Sequence, residues 1–377
     1  MGERTRPYWH ILLLFLFLYA ALWGWMRGVR NIFPNNPPNV VPEMYMGIPR
    51  ETNPWLEVWQ RWDALHYQAI AERGYRAFST ALFTPPLFPL LMRLTALLFN
   101  MNTLAAGLFI SALASLGCLI ALYRIALFEF GEEKIAFQAV LFLASFPTAF
   151  FLFAPYSESL FLLGALLAIY YARKERWWSA GLWGALAALT RIPGTLLLVP
   201  LLYAAWQAQR SGQKNGWFAP ALTAAGSILY PLYVWLILGE SPLAILQANY
   251  ARGGYLTLPG LNLLHAALRA WQGVLVEENL IELFFALLFL VLTVQVWRHL
   301  PPLYGLYSAT LLLFFLARFG SPQPLVGMAR YGLEIFPIFL YLATQARTPR
   351  IRRLILYLSW PGLLFFSAQF AIWGWVG

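Results

Sequence analysis

The sequence predicts an all-α polytopic membrane protein, and three observations carry that prediction. Of 377 residues, 60% are apolar and only 11% are charged, against roughly 25% charged in an average soluble domain. Mean hydropathy is +0.61. The apolar residues are gathered into runs that approach the ~20 residues needed to cross a hydrocarbon core. A soluble chain of this size has no interior large enough for so much apolar surface, so lipid is part of its solvent. A secreted domain, a disordered chain and a soluble enzyme are thereby excluded. The single cysteine, Cys118, lies in an apolar run, which excludes an internal disulfide framework and any cysteine-rich metal site.

The first run, 9–26, follows Arg4 and Arg6 and ends in the bulky Trp23, Trp25 and Met26. A signal peptidase needs small residues there, so the run reads as a retained span. Further runs cover 104–127, 135–153, 157–172, 177–190, 192–206, 217–238, 279–297, 302–317, 331–346 and 354–375. Residues 82–99 are apolar too, but carry Pro85, Pro86, Pro89 and Arg93. If 82–99 is an interfacial or re-entrant segment, Lys134, Lys174 and Lys214 all face the cytoplasm. Inner segments then balance at +9 and outer ones at +1. The positive-inside rule selects this arrangement: about eleven spans, N-terminus in, C-terminus out. The net charge of +10 is thus a matter of membrane orientation and not of nucleic-acid binding.

Two long loops, 27–103 and 239–278, lie outside in this topology. In the first, Trp55, Trp59, Trp62, Tyr67, Ile70 and Tyr75 interleave with Arg61, Asp63, Glu72 and Arg73. That pattern predicts an amphipathic helix in the headgroup plane, and 261–276 repeats it more weakly. We expect one integral membrane domain over 1–377, with 1–240 as a catalytic module and 241–377 as more variable helices.

Candidate chemistry collects at the outer face. Asp63 is the only aspartate, within Arg61-Trp62-Asp63-Ala64-Leu65-His66-Tyr67. A carboxylate desolvated by aromatics on one side and open to water on the other suits a general base. The structural alternative is an Asp paired with Arg61 or His66. Glu158, in Pro155-Tyr156-Ser157-Glu158-Ser159, is either a site residue or part of a helix cap. Arg191 lies between apolar runs with no acid nearby in sequence. An arginine there needs a partner, either Glu158 or an anionic ligand, unless it snorkels. Arg330 and Tyr331 share the turn 318–331 with Arg318, and Arg252 sits in the second long loop. Such guanidiniums suit bidentate binding of a lipid phosphate.

The chain has no Walker-type loop. Its four histidines (10, 66, 265 and 299) are scattered, so zinc is not expected. No cofactor is expected; Asp63 and Glu158 alone are too few to indicate a divalent metal.

Taken together, these segments resemble the membrane mannosyltransferases of the phosphatidylinositol-glycan class V type (GPI mannosyltransferase II) and their bacterial relatives, within the GT-C superfamily. The matching positions are Arg61 to Tyr67 with Ile70-Ala71-Glu72-Arg73-Gly74-Tyr75, Pro86 to Leu91, Pro155 to Phe161, Leu189 to Gly194, and Arg330-Tyr331 through Phe336-Pro337. The family commonly has Arg-Pro-Thr-Gly where this chain has Arg191-Ile192-Pro193-Gly194. The resemblance implies the GT-C fold, a polyprenyl-phosphate sugar donor, an inverting transfer and a site on the non-cytoplasmic face. It also implies amphipathic helices in the first outer loop, and an early-loop acid, here Asp63, as the base.

The expected function is therefore transfer of a hexose, most often mannose in this family, from polyprenyl phosphate to a hydroxyl of a lipid or glycan. Asp63 would take the proton, while Arg191, Arg330, Tyr331, Arg252, Arg61, His66, Tyr156 and Glu158 would bind substrate. The partners are the lipid-linked donor, the acceptor and membrane lipids, with no nucleic acid, and the expected location is a prokaryotic plasma membrane. The rivals are a transporter or flippase, which usually shows paired repeats and broken helices, a catalytically silent scaffold, and a GT-C relative that moves another sugar.

Overall fold

The computed structural model describes residues 6–33, 40–76, 78, 80–320, 323–374 and 376; Arg4 and Trp375, at the edges of two predicted runs, lie outside them. The chain is mostly helical. It begins with α1 (Arg6–Ile32), α2 (Pro54–Glu57), α3 (Asp63–Arg73), α4 (Leu87–Phe99), α5 (Thr103–Phe130) and α6 (Glu133–Ser145). There follow α7 (Glu158–Arg173), α8 (Trp177–Thr190), α9 (Leu198–Arg210), α10 (Phe218–Leu236), α11 (Ala244–Ala251) and α12 (Leu261–Trp271). The last are α13 (Val276–His299), α14 (Pro302–Ala317), α15 (Met328–Tyr331), α16 (Pro337–Gln345) and α17 (Pro349–Ala371). Two short strands, β1 (Gly254–Leu256) and β2 (Arg318–Gly320), pair antiparallel, with Leu256 opposite Arg318. This ribbon has no counterpart in the sequence prediction.

Every predicted apolar run is helical in large part. Among the described residues, five helices are long and apolar enough to cross a membrane: α1 from Pro7, α5, α10 with the 3-10 turn before it, α13 and α17. The protein is an integral, multi-pass membrane protein. The remaining runs form shorter helices, and several break where proline intervenes. The run 135–153 ends as α6 at Ser145, before Pro147, and resumes as a 3-10 turn over Ala149–Leu152. The proline-bearing run 82–99 yields α4, only 13 residues long. At about 1.5 Å per residue this is roughly 20 Å, short of a ~30 Å hydrocarbon core.

The contacts divide the chain into two compact units. The first comprises residues 1–77, 87–163 and 342–376. Here α1 packs on α5, α6 and α17, and α3 packs on α4 and α5. Residues 55–75 fold as two helices, α2 and α3. From Ala64 to Ala71 every residue of α3 is buried, and Tyr67 packs edge-on against Phe88 of α4, whereas Trp55 is exposed.

The second unit comprises 78–86 and 164–341. Its α8 and α10 approach closely through small residues: a β-carbon at Gly226 would lie 2.5 Å from Ala185 Cα. Small residues at such interfaces let helix backbones meet in lipid, where no hydrophobic force drives association. The predicted split at Arg191 is present. Helix α8 ends at Thr190, Arg191 is extended, and a 3-10 turn follows over Ile192–Leu197. A β-carbon at Gly194 would lie 2.3 Å from the Ala187 carbonyl group, so the turn doubles back against α8 where only glycine fits. In α12, Leu264, Leu268 and Trp271 are exposed while Asn262 and Ala266 are buried. This is the apolar outer stripe expected of the second loop.

Candidate functional site

In the first unit the residues around Asp63 are positioned by the peptide just before it. Trp62 has φ 48° and ψ −117°, an uncommon conformation for a residue with a side chain. Such strain persists only where the surroundings hold it. Tyr156 does the holding. Its Oη donates to the Arg61 carbonyl at 3.0 Å and accepts from the Asp63 N–H at 3.2 Å. One phenol thus bridges both ends of the strained residue. Tyr156 is in turn fixed by Ser111 Oγ, which donates to its carbonyl at 3.2 Å, and by Phe151, 5.4 Å away between ring centres. The next residue, Ser157, meets Tyr67 Oη at 2.6 Å. Two sequence motifs that lie some 90 residues apart therefore interlock: Arg61 to Tyr67 and Pro155 to Ser159.

Asp63 is the first residue of α3 and half-buried. His66 is buried one turn on, and Glu158 is fully buried at the start of α7.

Arg61 is fully buried, and its ion-pair partner is Glu57, with Nη2 at 2.9 Å from the carboxylate. Its Nε and Nη2 also donate to the Ala371 carbonyl at the end of α17, at 3.3 and 3.1 Å. Nη1 donates to the carbonyls of Glu57 and Gln60. All five donors are used inside the protein. Arg61 thereby ties α17 to the loop ahead of α3, with its guanidinium 4.8 Å from the centre of the Trp373 ring. Burial pushes Arg61 down to about 10, with Glu57 opposing the shift, so it stays charged at neutral pH. Burial likewise pushes the Glu57 carboxyl up, but Arg61 and Arg30 outweigh it and hold it below the usual carboxylate range.

In the second unit four arginines gather around two rings. The guanidinium carbons of Arg191, Arg318 and Arg330 lie 5.7, 5.3 and 5.9 Å from the centre of the Tyr331 ring. Those of Arg318 and Arg252 lie 5.4 Å from the centre of the Phe83 ring. Arg318 Nη1 also donates to Tyr331 Oη at 2.6 Å. The pairing of β1 with β2 sets the segment after Arg252 beside Arg318. The predicted grouping of arginines is therefore found for Arg191, Arg252, Arg318 and Arg330, with Tyr331 and Phe83 as its hubs.

Arg191 has a protein carboxylate beside it. Its Nε is 3.1 Å from Glu334 Oε1, and both side chains are largely buried. Sequence reasoning looked to Glu158 or a ligand for this role, because Glu334 lies 143 positions further along the chain. A second acid supports the same group. Glu282, buried in α13, accepts from the Ala329 N–H at 2.9 Å. It seats the turn that presents Arg330 and Tyr331. Nothing in the sequence around Glu282 signals this, since its partner is a backbone amide. Arg191 and Arg330 are largely buried and Arg252 is exposed; guanidiniums grouped in this way suit an oxyanion. Among the described residues no three His, Cys, Asp or Glu side chains gather into a metal-binding set.

The resemblance read from the motifs is borne out by comparison. Residues 29–209 match the family model described as Mannosyltransferase (PIG-V). The GPI alpha-1,6-mannosyltransferase 2 of Rattus norvegicus is 33% identical over 160 residues, and that of Mus musculus 34% over 160 residues. Each alignment spans 38% of this chain and 31% of the relative, so the chain matches less than a third of those proteins' length. The crystal structure of ArnT from Cupriavidus metallidurans bound to undecaprenyl phosphate superimposes over 94% of this chain and 62% of ArnT. Its TM-score is 0.52, at 14% sequence identity. The fold is the GT-C architecture that the resemblance implied.

Proposed function

We propose that this protein is an integral membrane glycosyltransferase that moves a hexose, mannose, from a polyprenyl phosphate to a hydroxyl of a lipid or glycan acceptor. The observation that carries the reading is the family match over 29–209, which contains Asp63, Tyr156, Glu158 and Arg191. The solved structure of a GT-C neighbour with undecaprenyl phosphate bound supports a polyprenyl-linked donor.

In this reading Asp63 takes the acceptor proton as the hydroxyl attacks the anomeric carbon, opposite the departing phosphate. The configuration inverts, through an oxocarbenium-like transition state. Tyr156 acts through the backbone, fixing where Asp63 stands. The leaving group is already an anionic phosphate, so it needs charge stabilisation more than a proton. Arg191, Arg330 and Arg252 supply that charge, and Tyr331 holds the guanidiniums in place. Glu158 and His66 bind hydroxyls of sugar or acceptor. The reaction takes place on the face away from the cytosol, in a prokaryotic plasma membrane.

The test is mass spectrometry of products after purified protein is incubated with labelled polyprenyl-phosphate mannose and a lipid extract. Transfer of label to a lipid or glycan supports the reading. Uptake of the donor into proteoliposomes with no transferred label contradicts it.

A further inference from the structure

We propose that the cavity at the C-terminal end of α1 is a binding site for a phosphate group, contributed by a lipid headgroup or by free phosphate. The proposal does not rest on the transferase reading.

The cavity lies within the first unit and has a volume of about 510 Å³, inside the usual range for ligand sites. Arg27 and Arg30 of α1 line it from one side, and Arg50 with Glu51 and Glu57 from the loop that follows. Glu57 already faces three guanidiniums. Arg30 Nε is 3.3 Å from it, Arg50 Nη2 3.5 Å, and the buried Arg61 Nη2 2.9 Å. Glu51 is spent elsewhere: its carboxylate accepts from Asn53 N–H at 2.9 Å and from Asn102 Nδ2 at 2.8 Å. Arg27 has no carboxylate partner among the described residues. Three arginines thus line the recess with two acids, and the surplus is positive.

The ordinary explanation for arginine at a helix end accounts for only one of them. Arg30 donates to the Phe33 carbonyl at 2.9 Å and sits in the last turn of α1, where a cation complements the helix dipole. Arg27 and Arg50 cap nothing. They project into the same recess from two different elements, where α1 ends after a length sufficient to cross a bilayer. Guanidiniums converging from separate elements match the several oxygens of a phosphate, and each makes charge-assisted bonds to it. The volume beyond one phosphate leaves room for the rest of a headgroup.

The experiment uses the full-length protein in detergent and native mass spectrometry. The probes are phosphatidylglycerol, diacylglycerol (the same tails without phosphate) and inorganic phosphate. The variant is Arg27→Gln with Arg50→Gln, which leaves Arg30 and Arg61 on Glu57. If that protein fails to elute as a single species, Arg50→Gln alone serves, because its side chain is 53% exposed. We expect phosphatidylglycerol to be retained and diacylglycerol not, with affinity falling roughly tenfold per arginine removed. Displacement of phosphatidylglycerol by inorganic phosphate would assign the site to free phosphate; failure of displacement would assign it to the lipid. Equal retention of both lipids, or affinity unchanged in the variants with neither probe sensitive to them, would overturn the proposal.

Discussion

Asp63 stands at a helix start, and its position is set by a strained tryptophan that a tyrosine bridges from both sides. The general-base assignment makes a sharp prediction at this residue. Asp63→Asn should insert and purify normally yet lose roughly 10²–10⁴ in turnover; a wild-type rate would remove it from the mechanism. Tyr156→Phe keeps the ring and deletes only the bridging hydroxyl. The Asp63 N–H and Arg61 carbonyl then lose a partner, at about 1–3 kcal/mol of stability. Small displacements of a reacting group are expensive, so kcat should fall roughly 10- to 100-fold while KM for the donor holds. Arg191→Ala should raise the KM for lipid-linked sugar, but it also leaves the buried Glu334 carboxylate beside a lost cation. Breaking a buried pair from one side costs about 3–5 kcal/mol. Adding Glu334→Gln should return most of the thermal stability and leave KM raised. If the double variant recovers KM as well, Arg191 serves the fold and not the donor.

Among the helices, how closely two elements approach decides what they can place. Helix α8 meets α10 through glycine, and Gly226→Val would drive methyl groups into Ala185. We expect a loss of about 1–3 kcal/mol in thermal unfolding of the detergent-solubilised protein, whereas an exposed substitution such as Leu229→Val should change little. The positions of the helices were readable from hydropathy, because lipid imposes apolar runs of defined length. The break at Arg191 was readable from Pro193 and Gly194. What hydropathy does not carry is tertiary burial. The aromatics of 55–75 look the same in sequence whether they face lipid or a neighbouring helix, and only the packing of Tyr67 on Phe88 decides it. The same holds for the β-ribbon, whose three-residue strands depend on chain ends brought together from 64 residues apart. At the site, the arginines and Asp63 were legible as rare charges among apolar residues. The pairing of Glu334 with Arg191 and the seating of a turn by Glu282 were not, since one partner is 143 positions away and the other is a backbone amide.

For the whole molecule, the motifs are spread from Arg61 to Pro337, yet the family model covers 29–209 and the GT-C fold nearly the entire chain. Fold and chemistry thus have different footprints on the sequence. The ion-pair network around Glu57 should also show in global stability. Its folded carboxyl is held below the usual range by Arg61 and Arg30 despite burial. Its contribution is therefore complete above the unfolded carboxylate value of about 4.5 and is lost as pH falls through the folded one. Thermal unfolding followed from neutral to acid pH should show that loss, and Glu57→Gln should flatten it while lowering stability at neutral pH. The central claim, that this fold transfers a sugar with Asp63 as base, is tested most directly by one product assay. Wild-type and Asp63→Asn proteins would be given labelled polyprenyl-phosphate mannose and a lipid extract, and the labelled products weighed. The wild type should give a mannosylated lipid or glycan, and the variant at least about 100-fold less. Equal product from both, or none from the wild type with the donor intact, would contradict it.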